Sequence, residues 1–278
     1  MRASIIGLGV VGCAMLQSAP RDWKITGVDC DTARAMQLGG THDISKVSGS
    51  DLIFVCVGTP VKPGPLGLEQ DPSYFLRVMD DLKNLFADRP GFEVVVIRST
   101  ILPHYIPTSF PRPIATYPEF LRADMATYDA KHPPFSVIGS DGQAPFVSLR
   151  DWINGVVQNN APLFELGLRE AMAVKWALNW FHAAKAEFSN VMLDACTTWQ
   201  CDPAKVLSVL ALEMAVHAQQ YLRPLGTTLG GACLPKDLAA GIADLRNQPA
   251  GYFLRGIWDS SCRRIVAKEA DARASSGD

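Results

Sequence analysis

The chain has 278 residues, about the length of two typical domains or one large one. Hydrophobic residues make up 48% and charged residues 19%, which excludes disorder as the main state, and a core this large needs no metal or disulfide support. Lys and Arg (26) nearly balance Asp and Glu (28), so no basic surplus points to nucleic acid or to an anionic membrane. The cysteine count is odd, seven, with no CxxC pair and no Cys/His ligand spacing. Neither a disulfide framework nor a metal site is expected, and a reducing cytoplasm fits. No apolar run reaches the roughly 18 residues of a membrane helix. The apolar stretch after Arg2 is interrupted by Gly7, Gly9 and Gly12, so it does not read as a leader peptide.

Along the first half, short runs at 3–7 (ASIIG), 24–29 (KITGVD), 51–57 (DLIFVCV) and 94–99 (VVVIRS) are β-branched and nearly all apolar. They predict buried parallel strands, with weaker candidates at 114–117 and 136–139. Helical patterns such as 73–87 lie between them, which implies βαβ units and a doubly wound sheet. The pattern changes near Leu163. No Gly or Pro occurs from 168 to about 198, so one long helix is predicted there, with an apolar surface too wide for a simple surface helix. Asp202-Pro203 starts another helix, by the preference for Asp at the N-cap and Pro at the first helical position. A Gly/Pro-rich loop spans 224–235, helices follow at 236–245 and about 252–269, and 270–278 is expected to fray.

The sequence GLGVVG at 7–12 follows the first strand and opens a helix. Gly7 permits the tight turn, Gly9 lets a pyrophosphate approach the backbone, and Gly12 lets helix and strand pack closely. The helix N-terminus, with Val10 and Val11, then faces the phosphates. The next strand ends in Asp29, placed to accept hydrogen bonds from ribose hydroxyls, which favours NAD over NADP. Arg34 could lie near the adenine ribose and could also meet a 2′-phosphate, so NADP is disfavoured without being excluded. The fold class is α/β: an N-terminal Rossmann NAD-binding domain, 1–163, then an all-α central domain with a long helix, 164–278.

The second signal is GGACLPKD at 230–237. Lys236 and a following helix N-terminus can raise the thiolate fraction of Cys233. Taken alone, a buried, inert cysteine is the plainer reading.

Six blocks, in order along the chain, together resemble the nucleotide-sugar dehydrogenases that oxidise UDP-glucose or GDP-mannose. They are the fingerprint with Asp29, VCVGTP at 55–60, RSTILP at 98–103, PEFLR at 118–122, Lys175 with Asn179, and the Cys233 loop. Within that family the GDP-mannose branch is nearest, through NWFHAAK at 179–185 with Phe188 and Asn190, through YLRP at 221–224, and through Pro133-Pro134. The resemblance implies oxidation of a primary alcohol to a carboxylate with two NAD per turnover. It implies that Thr100 and Asp237 position a water for removal of the alcohol proton. Lys175 and Asn179, one helical turn apart, would stabilise oxyanions. Cys233 would form a thiohemiacetal and then a thioester, and Glu119 would act as general base in its hydrolysis. Thr59, Thr100 and Lys236 are implied as further cofactor contacts. Phe120, Leu121, Arg122, Lys175, Asn179, His182, Asn190, Tyr221 and Arg223 are implied as substrate contacts.

The pattern is also broken in places. The family's second glutamate after PEFLR is Ala123, its Asn-Glu pair is Asn190-Val191, and Thr228-Leu229 replaces a Gly-aromatic pair. Only residues 30–50 connect the second and third strands, where the family has a longer segment. The family continues into a C-terminal nucleotide-binding domain, which is expected to be missing here, whether the chain is cut from a longer protein or is short by nature. The expected activity is therefore an NAD-dependent dehydrogenase acting on a nucleotide sugar or a smaller related alcohol. The alternatives are a single-hydride dehydrogenase of the hydroxy-acid type, or a catalytically degenerate partner subunit. A cytoplasmic homodimer formed through the long helix is expected.

Overall fold

β1 (Arg2–Ile6) runs straight into α1 (Val10–Ser18), and the alternation continues with β2 (Lys24–Val28), α2 (Thr32–Gln37) and β3 (Leu52–Val55). A computed structural model describes residues 1–64, 67–142, 144–198, 200–213, 229, 231, 233–244, 246–247 and 249–276. A hairpin of β4 (Val61–Gly64) and β5 (Gly67–Gln70) follows, then α3 (Ser73–Phe86), β6 (Val94–Ile97), β7 (Ile114–Thr116), α4 (Ala126–Lys131), β8 (Ser136–Gly139), α5 (Ala144–Val156) and β9 (Leu163–Leu166). The rest of the described chain is helical: α6 (Leu168–Thr198), α7 (Pro203–Glu213), α8 (Leu234–Asp244) and α9 (Pro249–Ser276). No helix among the described residues is long and apolar enough to cross a membrane.

The chain forms two compact units. The first comprises Met1–Thr59 and Asp71–Lys175. Its seven-stranded sheet has the order β2-β1-β3-β6-β7-β8-β9. The first five strands in that order are parallel, in a register that aligns Ile5, Phe54 and Val96. β3 and β6 are buried at every position, which is why their sequences are unbroken apolar runs without alternation. β8 reverses direction against β7 at the pair Thr116–Gly139. A Cβ on Gly139 would lie 2.4 Å from Thr116 Oγ1, so only glycine fits there. α5 covers the sheet with Trp152, whose ring stands 4.7 Å from Phe54 and 5.2 Å from Trp23. α3 buries Phe75, Met79, Leu82 and Phe86, the spacing of one helix face. Outside β2, where the six-stranded doubly wound plan has a further strand, the short 30–50 connection makes one bridge, Val28 to Thr41.

The second unit comprises Pro60–Gln70 and Trp176–Asp278. Here β5 packs on α8, and α8 on α9. Leu238, Ile242, Leu254 and Ile257 form the core, flanked by Trp180, Ala184, Leu229 and Trp258. Gly241 sits where a Cβ would lie 2.7 Å from the Trp180 indole, so the close approach depends on the absent side chain. Glu187 on α6 accepts from Ser260 Oγ at 2.5 Å and lies 3.3 Å from Arg264 Nε, tying α6 to α9.

Three features depart from the sequence-based expectation. β9 joins the sheet at its edge although none of its four residues, LFEL, is fully buried and they carry no strong strand signal. The hairpin at 61–70 falls in a stretch, within the segment read as the Rossmann domain, to which the sequence assigned no element. The chain does not fray at 270: α9 runs to Ser276, because Ala270, Ala272, Arg273 and Ala274 are strong helix formers.

Candidate active site

The fingerprint loop is shaped by its glycines. Gly7 has φ +92°, in the left-handed region, and a Cβ there would meet the Cys56 carbonyl oxygen at 2.8 Å. A Cβ on Gly12 would come within 1.9 Å of the Gly7 carbonyl oxygen. Gly9, at the N-cap of α1, faces open space, with no atom within 4 Å of a built Cβ. A backbone that is tight at 7 and 12 and open at 9 fits a dinucleotide pyrophosphate at the start of α1, where Val10 is exposed and Val11 half-buried. Asp29 is buried. Its Oδ2 accepts from the Leu8 amide at 2.7 Å and its Oδ1 from the Asp31 amide at 2.9 Å. Arg34 Nη1 lies 3.8 Å from Asp29, and Nη2 lies 3.7 Å from Asp31.

The ends of β3 and β6 are knitted together by hydroxyl groups. Thr59 Oγ1 donates to the Thr100 carbonyl at 2.9 Å, and Ser99 Oγ donates to the Val57 carbonyl at 2.7 Å. Thr59 thus fixes the backbone of Thr100 beyond β6. Cys56 lies in this layer. Burial pushes its thiol up to about 12, with Arg98 opposing and Glu119 reinforcing. It is inert as a nucleophile.

After β7 the chain enters the PEFLR segment. Glu119 Oε1 lies 2.8 Å from Lys175 Nζ, and Oε2 accepts from the Leu121 amide at 2.8 Å. Burial works to raise the Glu119 pKa. The Lys175 ammonium, the Leu121 amide and the Arg98 charge outweigh it and hold the carboxyl below its ordinary value. Lys175 also lies 5.8 Å from the Phe120 ring. The Arg122 guanidinium forks onto Asp129, at 2.9 and 2.6 Å, and its amide donates to the same carboxylate. The Arg122 fork thus braces the segment around Glu119 and Leu121.

In the second unit, Asn179 Nδ2 donates to Asp237 Oδ2, and Lys236 Nζ pairs with Asp237 Oδ1. Asp237 is buried at the start of α8, and its carbonyl accepts from Trp180 Nε1 at 3.4 Å. Cys233 immediately precedes α8, is exposed, and its carbonyl accepts from the Asp237 amide at 2.8 Å. Cys233 thus stands at the N-terminus of α8, three residues before Lys236. Asn179 lies one turn after Lys175 on α6. His182, half-buried, follows Asn179 on the same helix, and Asn190 continues it. Tyr221 and Arg223 lie outside the described residues. Arg98 was missed by sequence reasoning. Its signal was a lone charge closing the otherwise apolar run at 94–97.

A sequence model of the NAD binding domain of the UDP-glucose/GDP-mannose dehydrogenase family matches residues 32–154, and one of its central domain matches 169–253. The chain is 28% identical over 282 residues to a GDP-mannose 6-dehydrogenase of Azotobacter vinelandii, covering 86% of this chain and 63% of that protein. It thus spans less than two thirds of that relative. A ternary complex of GDP-mannose dehydrogenase from Pseudomonas aeruginosa superimposes with a TM-score of 0.68 at 26% identity, covering all of this chain and 72% of that one. A UDP-glucose dehydrogenase from Pyrobaculum islandicum shares the fold, with a TM-score of 0.78 at 23% identity over 95% of this chain and 67% of that one.

Proposed function

Because the chain belongs to the UDP-glucose/GDP-mannose dehydrogenase family, we propose that it catalyses NAD-dependent oxidation of a primary alcohol to a carboxylate, with a nucleotide sugar or a smaller related alcohol as substrate. The observation that carries this reading is the junction of Asn179, Lys236 and Asp237 at the start of the helix that follows Cys233. A structural helix start needs no such arrangement of amide, ammonium and carboxylate next to an exposed thiol.

When bound at the fingerprint, NAD supplies the hydride acceptor for both oxidations. Asp237 and Thr100 position a water that takes the alcohol proton. Asn179 and Lys175 stabilise the alkoxide and the later tetrahedral oxyanions. The Cys233 sulfur adds to the aldehyde carbon and forms a C–S bond; the second oxidation leaves a thioester. Glu119 takes a proton from the attacking water, and the C–S bond breaks to release the carboxylate and the thiol. His182, Asn190, Tyr221, Arg223, Phe120 and Leu121 are assigned to the substrate side, and residues 1–163 to cofactor binding. The long helix at 168–198 forms a homodimer contact.

NADH and carboxylate yields with GDP-mannose, UDP-glucose and simpler alcohols test the reading. Two NADH per carboxylate are expected, with carboxylate formation lost in Cys233→Ser. Unchanged carboxylate formation in Cys233→Ser overturns the covalent route. One NADH per substrate indicates a single-hydride enzyme, and NAD binding without turnover indicates a degenerate subunit.

A further inference from the structure

Arg98 stands directly after the buried strand β6 and is 4% exposed. A full charge at that depth is costly unless its surroundings compensate it. Its Nη1 donates to the Tyr117 carbonyl at 2.9 Å and, more weakly, to the Pro118 carbonyl at 3.5 Å. The guanidinium carbon lies 4.0 Å from the centre of the Tyr117 ring, a cation–π distance. Among the described residues, Nε has no hydrogen-bond partner. The compensation therefore comes from the two residues that precede Glu119. The charges that reach Glu119 are those of Lys175 on α6 and Arg98 after β6; the Cys56 thiol after β3, which feels the Glu119 charge, is itself neutral.

We propose that Arg98 is a positioning residue for Glu119: it clamps the two carbonyls that lead into Glu119 and adds a second, fixed positive charge to that carboxylate. The inference rests on the reading of Glu119 as the general base. Its consequence is a division of labour between two cations. Lys175 can turn toward a developing oxyanion while Glu119 stays ionised, because Arg98 does not move with it. A lysine at 98 could supply the charge but not the planar fork over the Tyr117 ring.

Titration of the Glu119 side-chain carboxyl carbon by NMR, in the full ¹³C-labelled chain, tests this. Glu119→Gln assigns the signal. In Arg98→Met the midpoint is expected to rise by about one pH unit or more, and in Arg98→Lys to return toward the wild-type value. Should Arg98→Met fail to fold, Arg98→Gln is equally neutral, keeps a donor for the Tyr117 carbonyl, and is expected to raise the midpoint likewise. An unmoved midpoint in the neutral variants overturns the proposal, since a merely structural arginine would change stability and leave the Glu119 titration in place. Carboxylate formation that survives Glu119→Gln would instead overturn the general-base role, whatever the titration shows.

Discussion

Lys175 Nζ and Glu119 Oε1 lie 2.8 Å apart, with side chains only 6% and 10% exposed. Lys175 belongs to the start of the long helix and Glu119 to the loop after β7, and the Leu121 amide holds the second carboxylate oxygen. Replacing Lys175 by Met strands a buried carboxylate. A loss of about 3–5 kcal/mol in unfolding free energy is expected by urea denaturation. The double variant Lys175→Met, Glu119→Leu should recover most of that loss, and a double-mutant cycle gives the coupling. A cost below about 1 kcal/mol in the single variant would show that water reaches the pair.

The same pair sets a pH dependence. Against the effect of burial, Glu119 titrates in the folded chain below its ordinary value, held down by the Lys175 ammonium, the Leu121 amide and the Arg98 charge. Its contribution is therefore complete above that value and is lost as pH falls through the lower folded value. Stability should decline on acidification below about pH 5, and less steeply in Glu119→Gln. Glu93 shifts the same way, its burial outweighed by the Gly49 amide and Arg112, and its effect is common to both proteins. Equal slopes in wild type and variant would contradict the assignment.

The fingerprint glycines should separate folding from cofactor binding. Gly9→Ala meets no protein atom, so its melting temperature should stay within a few degrees of wild type while NAD affinity falls at least tenfold. Gly12→Ala drives a Cβ into the Gly7 carbonyl and should destabilise by about 1–3 kcal/mol or more. Calorimetric NAD titration beside thermal melting distinguishes the two. Undiminished NAD binding in Gly9→Ala would remove the pyrophosphate from this loop.

Thiol labelling of the native chain should divide the cysteines by exposure. Cys30, Cys201 and Cys233 are exposed, whereas Cys56 and Cys196 are buried. Burial holds the Cys56 thiol protonated at neutral pH, so it should react with a disulfide reagent only after denaturation. Cys233→Ser should remove one fast-reacting group. Fast labelling of Cys56 would contradict its placement beneath the fingerprint loop.

The strands of the first unit were legible because buried parallel strands are continuous β-branched runs, as at Leu52–Val55 and Val94–Ile97. The long helix was legible from thirty-one residues without Gly or Pro. The hairpin Val61–Gly64 with Gly67–Gln70 was not. Its strands are short and polar, and their partner, α8, is remote in sequence. β9 was missed for the same kind of reason, since an edge strand is stabilised by its neighbour more than by its own residues.

Motif and spacing alone determined the dinucleotide fingerprint, the Cys233–Asp237 loop and the one-turn separation of Lys175 and Asn179, because those features are local. Tertiary structure alone decided the partners. It placed Asn179 on Asp237, 58 residues away, set Glu119 against Lys175, and turned the Arg122 fork onto Asp129. It also buried Arg98 against Tyr117. The reason is that the pKa and the role of a charged group depend on what faces it after the chain has closed. Sequence spacing does not specify that environment.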